Sequence, residues 1–141
     1  MYEKAYRMQE ISDDLVAAIG IGPTVDLLRS REDVLAIILF GSVARGQARP
    51  FSDIDLCVVT RPHVPESERS DLQSYGSRKI EVSIFDTLPL PVRFRVIREG
   101  KLVWCKDRLA VHRVMAETIR NYLDNSSRIR RHSLHALDIS R

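Results

Sequence analysis

Two strand-length apolar runs, separated by a short basic segment punctuated with glycine, constrain this chain more than any other stretch. Residues 35–60 read LAIILFGSVARGQARPFSDIDLCVVT. The first run, Val34 to Phe40, is continuously apolar and rich in β-branched residues, so it reads as a strand covered on both faces. It stops at Gly41-Ser42. The second, Asp53 to Thr60, also reads as a strand, with Val58 and Val59 in support. Successive strand side chains point to opposite faces, so Asp53 and Asp55 project together while Ile54 and Leu56 turn to the core. Two carboxylates on one face repel each other unless a cation sits between them, and Mg²⁺ prefers such oxygen ligands.

Gly41-Ser42, placed where a buried strand ends, suits a phosphate site. Glycine lets backbone approach a ligand closely, exposed N–H groups can cradle an oxyanion, and the Ser42 hydroxyl adds a donor. Arg45 lies in the same loop beside Gly46, and Arg49 follows. A Gly-Ser pair alone usually marks an ordinary turn; the order strand, Gly-Ser, ten residues, Asp-x-Asp is what gives it weight.

Composition sets the outer bounds. A chain of 141 residues with 44% hydrophobic content can bury one real core. A net charge of +3 fits contact with phosphates and is too small, without a localised patch, to argue for nucleic-acid binding. No run reaches the roughly 18 apolar residues of a membrane span. The charged N-terminus, MYEKAYRMQE, lacks the apolar stretch of a signal peptide, and a cytoplasmic location is the expectation. Cys57 and Cys105 each sit in an apolar run and read as buried free thiols.

Along the chain, Met8, Ile11, Leu15 and Ile19, with Val16 and Ala18, recur at helical spacing; Ser12 offers a later start as a cap. Pro23 suits the first turn of a second helix to about Arg31. Gly41 to Arg49 is a loop or short helical turn, and residues 66–76 read as an exposed helix or a long loop. Arg78 to Phe85 alternates cleanly, with Ile80, Val82 and Ile84 on one face and Glu81 on the other, an acidic residue in mid-strand. A helix ending at Gly100, a short strand from Lys101 to Cys105 and a final helix from Asp107 to about Leu123 complete the pattern. Arg93, Arg95 and Arg98 form an exposed basic helix face. Trp104, Phe94 and Tyr122 read as core or interface.

The string GSVARGQARPFSDID resembles the G-S-x(10)-D-x-D signature of the polymerase-beta-type nucleotidyltransferase superfamily. The longer GSVARGQARPFSDIDLCVV, with IEVSIFDTLPLPVRFRVIREGKLVW downstream, is similar to its minimal nucleotidyltransferase (MNT) group. The resemblance spans roughly residues 10–125. It implies an α/β fold, a small mixed twisted sheet with helices mainly on one face, as an MNT domain over residues 1–125. Residues 126–141 would then be a basic C-terminal extension, helix or tail.

The resemblance also implies a site. Asp53 and Asp55 would hold two Mg²⁺ ions that carry a nucleoside triphosphate, as catalytic residues and metal ligands. Glu81 would be the third carboxylate, a ligand and candidate base, where the family more often has aspartate. Asp86 is the fallback, although strand alternation puts it on the face opposite Glu81. Gly41, Ser42 and Arg45 would bind the phosphates of ATP, Arg45 offsetting charge on the departing pyrophosphate. Small MNT proteins commonly serve as antitoxins that transfer AMP to a tyrosine hydroxyl of a HEPN toxin. The expected protein is therefore an Mg²⁺-dependent adenylyltransferase in a hetero-oligomer with a HEPN-domain toxin. The alternatives are an antitoxin that neutralises by binding alone and a nucleotidyltransferase acting on a small molecule.

Overall fold

The structure, a computed structural model, describes residues 8–47 and 52–139, with side chains described through residue 126. Arg49 lies outside the described residues. Seven apolar residues, Val34–Phe40, form β1, and Ile54–Thr60 form β2. Ile80–Ile84 and Lys101–Cys105 form β3 and β4. The sheet order is β3-β2-β1-β4, with β2 antiparallel to β1, β4 antiparallel to β1, and β3 parallel to β2.

The two central strands explain the two-sided apolar run. Val34, Ile37, Leu39, Leu56 and Val58 face one core; Ala36, Ile38, Cys57 and Val59 face the other. Asp13–Ala18 (α1), Gly22–Arg29 (α2) and Glu66–Gln73 (α4) close the first core with Val16, Val25, Leu28 and Leu72. Leu90–Glu99 (α5) and Arg108–Ile139 (α6) close the second with Val96, Ile97, Val111, Met115 and Ile119. The mixed α/β architecture is as expected. Its helices cover both faces instead of mainly one, because β1 and β2 are apolar on both sides and each side must be taken out of water.

Several boundaries shift for local reasons. Ser12 caps α1, its Oγ accepting from the Leu15 N–H at 3.2 Å. Residues before it are extended and lie along β4: Leu102 N–H donates to Gln9 O at 2.8 Å and Ile11 N–H to Leu102 O at 3.0 Å. Met8 and Ile11 therefore do not share a helix with Leu15; they satisfy a sheet edge. The final helix begins as read, with Asp107 Oδ1 accepting from Leu109 N–H at 3.0 Å, but continues past Leu123 to Ile139. Residues 126–139 are thus helical backbone.

Gly100 ends α5 without the left-handed turn usual for a terminal glycine; its φ is −72°. It is glycine because a Cβ would strike Val96 O and come within 2.6 Å of Ile38 Cγ2. The missing side chain lets the end of α5 rest directly on β1.

Candidate nucleotide and metal site

β1 ends at Phe40, whose register partner on β2 is Asp55. The next residue, Gly41, turns the chain into the short helix Gly41–Ala44 (α3) with φ +78°. A Cβ there would fall on Asp55 Oδ2 and lie 3.2 Å from Asp55 Cγ. Position 41 therefore needs glycine twice over, for its left-handed backbone and for the carboxylate packed against it. Phe40 supplies no side-chain cap to α3, and the first N–H groups of a helical turn have no intrahelical partner.

On the other side of β2, parallel pairing sets Asp55 opposite Glu81. Paired residues of neighbouring strands project from the same face roughly 4.8 Å apart. Asp53 lies one residue before β2 begins, near enough for its charge to act on Asp55. Asp53 and Glu81 are exposed and Asp55 is half-buried. The electrostatics follow: burial, then the charges of Glu81 and Asp53, raise the Asp55 carboxyl above the ordinary carboxylate range, and Arg45 opposes them.

Three carboxylates therefore bear on one another here, with Arg45 only partly offsetting them. Among the described residues, no three His, Cys, Asp or Glu side chains already converge on a point that a metal could occupy. That donor set fits Mg²⁺, which is commonly held by one or two carboxylates together with substrate phosphates and water instead of an all-protein cage. Asp53, Asp55 and Glu81 are the residues that would hold such an ion, and the Gly41-Ser42 turn packs against Asp55.

Arg45 stands at the end of α3. Its Nε donates to Gln47 Oε1 at 3.4 Å and its Nη1 to Glu99 Oε2 at 3.3 Å. The other Glu99 oxygen accepts from Arg98 Nη2 at 3.4 Å. Burial raises the Glu99 carboxyl, but the hydrogen bonds from Arg98 and Arg45 and their charges outweigh it and hold the group below its usual range. Arg98 and Arg95 are exposed as anticipated, whereas Arg93 is half-buried, and its Nε has no hydrogen-bond partner among the described residues.

Asp86 corrects the alternation argument. β3 ends at Ile84, and Asp86 lies in a 3₁₀ turn, Phe85–Thr87, so strand alternation does not reach it. Its charge acts on Cys57, whose buried thiol is pushed well up, chiefly by burial. Cys57 is on the Asp55 side of β2, one strand pair further along, opposite Ser83. The acidic neighbours acting on Asp55 are Glu81 and Asp53.

Sequence reasoning gave no role to Glu99 or Gln47. Glu99 lies 54 residues from Arg45, and a helix-terminal glutamate carries no local sign of such a contact. Phe94 and Tyr122, read as core or interface, stack on each other across α5 and α6 with ring centroids 4.0 Å apart. No helix among the described residues is long and apolar enough to cross a membrane.

Comparison with known proteins agrees with this fold. A family model described as polymerase beta, nucleotidyltransferase matches residues 24–109. The "Putative protein adenylyltransferase MJ1547" of Methanocaldococcus jannaschii is 26% identical over 104 residues, 74% of this chain and 82% of that protein. Among solved structures, a toxin-antitoxin with AMP-PNP gives a TM-score of 0.69 at 20% identity, covering 84% of this chain and 98% of the other. A tri-AMPylated Shewanella oneidensis HEPN toxin in complex with MNT antitoxin gives 0.62 at 19% identity, covering 80% and 92%. At these identities the structures speak for the fold.

Proposed function

The chain belongs to the polymerase beta nucleotidyltransferase family, and from that premise we propose that it transfers AMP from ATP to a tyrosine hydroxyl of a partner HEPN toxin and so acts as its antitoxin. The observation that carries the reading is the placement of Asp55. It is packed against the Gly41 turn on one side and paired with Glu81 on the other. Phosphate-binding backbone and metal-binding carboxylates therefore meet at one point.

Bound there, two Mg²⁺ ions would neutralise triphosphate charge and favour in-line displacement at phosphorus. The protein's own groups have separable tasks. Asp53 and Asp55 present the carboxylates, and the N–H groups of the Gly41-Ser42 turn and the Ser42 hydroxyl hold the β- and γ-phosphates. The hydroxyl oxygen of the acceptor attacks the α-phosphorus, the α–β anhydride bond breaks, and pyrophosphate leaves with its charge facing Arg45. Glu81, exposed at the sheet edge, is where the acceptor's proton is received. AMP-PNP in one similar structure and AMP-modified toxin in another support ATP as donor and a toxin as acceptor for this chain.

Intact-mass analysis of a HEPN-type partner co-expressed with this chain tests the reading. Mass increments of whole AMP groups, mapping to tyrosine and absent with Asp53→Ala/Asp55→Ala, are expected. Increments that persist with the double variant would remove the catalytic assignment. Protection of cells without any increment would favour neutralisation by binding alone.

A further inference from the structure

The Arg45–Glu99–Arg98 arrangement is not accounted for by the roles above. Glu99 is the last residue of α5 and places one oxygen on each of two guanidinium groups, one of which belongs to the phosphate-side loop. Its side chain is 27% exposed, so it is more enclosed than either arginine, at 40% and 65%. Its position is set by backbone packing: Gly100, having no Cβ, brings the end of α5 against Ile38 and within 3.3 Å of Leu39 O on β1. β1 runs two residues further into the Gly41 turn, so the same strand positions Glu99 and the start of the loop that carries Arg45.

We propose that Glu99 is a positioning residue for nucleotidyl transfer, orienting the Arg45 guanidinium toward the place where pyrophosphate leaves. The proposal rests on the reading of the site given above. A long arginine in an exposed loop samples many rotamers, and holding it in one spends that freedom before substrate arrives. Gln47 takes the Nε–H and Glu99 takes an Nη1–H, and among the described residues no hydrogen bond from Nη2 competes with a phosphate oxygen. The contacts of 3.3 and 3.4 Å are long for charge-assisted bonds, so the group is oriented without being locked. Arg45 is exposed at the end of α3, yet its charge still opposes those of Glu81 and Asp53 on Asp55. Glu99 itself does not touch the reacting atoms. Its charge offsets part of the Arg45 charge toward bound ATP, so its removal has opposing effects on ground-state binding, while the transition state loses an oriented cation.

The test combines a readout independent of catalysis with a kinetic one. In ¹⁵N spectra of the apo protein, the Arg45 Nε–H signal, assigned with Arg45→Lys, is expected to be resolved in wild type and Arg98→Ala. In Glu99→Ala it should collapse toward the solvent-averaged arginine position. An unchanged signal in Glu99→Ala overturns the proposal whether or not the protein transfers AMP. Kinetically, Glu99→Ala should lower kcat for AMP transfer about tenfold while AMP-PNP affinity changes less than about threefold, with Glu99→Gln between the two. Adding Glu99→Ala to Arg45→Ala should cost nothing further, and additive losses would mean Glu99 acts elsewhere. Absence of AMP transfer by wild type would defeat the functional reading and leave the spectroscopic result standing.

Discussion

The Asp55 carboxylate occupies the space that a side chain at position 41 would need, and Gly41 has the left-handed φ of +78° that makes the approach possible. The turn that would hold phosphate and the carboxylate that would hold metal are thereby one packing unit.

Gly41→Ala is expected to reduce stability by about 1–2 kcal/mol from the backbone conformation alone, before any displacement of Asp55. AMP transfer should fall far more than the remaining folded fraction predicts, because the carboxylate is pushed off its position. Urea unfolding midpoints measured beside transfer rates separate the two effects. An active Gly41→Ala protein would contradict the close approach.

Asp55 makes stability depend on pH in a defined direction. Its folded carboxyl binds a proton more tightly than the unfolded chain does, through burial and the charges of Glu81 and Asp53. The folded state therefore holds more protons in the window just above the ordinary carboxylate pKa, and stability falls as pH rises through that window. Without metal, wild type should lose stability relative to Asp55→Asn as pH is raised from about 4 toward neutrality. Magnesium with ATP analogue should restore wild type and not the variant. A difference that is flat with pH, or favours wild type more as pH rises, would contradict the electrostatic account.

Glu81→Gln keeps the size of the side chain and removes its charge. Its loss should lower transfer at least about a hundredfold with little change in melting temperature, since the residue is exposed. Asp86→Asn should leave transfer within about threefold. Reversed outcomes would move the third carboxylate to Asp86.

On the far face of the sheet, Arg31 clasps α4. Its Nη2 and Nε meet the two oxygens of Glu68 at 2.5 and 3.1 Å, and its Nη1 donates to Tyr75 Oη at 2.8 Å. Arg31→Ala and Glu68→Ala should each lower the unfolding midpoint and leave transfer unchanged, and the double variant should be no worse than the sum of the singles. A loss of transfer matching that of the site variants would show that the two faces are coupled.

Much of the candidate site's backbone setting is legible in the sequence because its parts are local. A continuous apolar run, a glycine at its end and two aspartates with the strand period specify β1, the turn and the β2 face without reference to anything distant. Glu81 was legible as a mid-strand acid for the same reason. The distribution of helices over both faces is implicit in the two-sided burial of β1. The stretch Met8–Ile11 misled because a helical repeat of apolar residues over one turn is also compatible with an extended segment lying on an edge strand.

By itself, then, the sequence determined which backbone segments could be strands, where the chain had to turn, and which carboxylates shared a strand face, since these depend on side-chain period and on the steric freedom of glycine. The tertiary structure decided what met across strands and helices. Parallel pairing of β3 with β2 placed Glu81 beside Asp55, the packing of α5 on β1 through Gly100 brought Glu99 to Arg45, and the turn after β3 took Asp86 out of strand alternation. Such contacts depend on sheet order and helix docking, which are set by burial of the whole core. In Gly41 the two levels coincide: a residue recognisable in the sequence as a turn is held to glycine by a carboxylate one strand away.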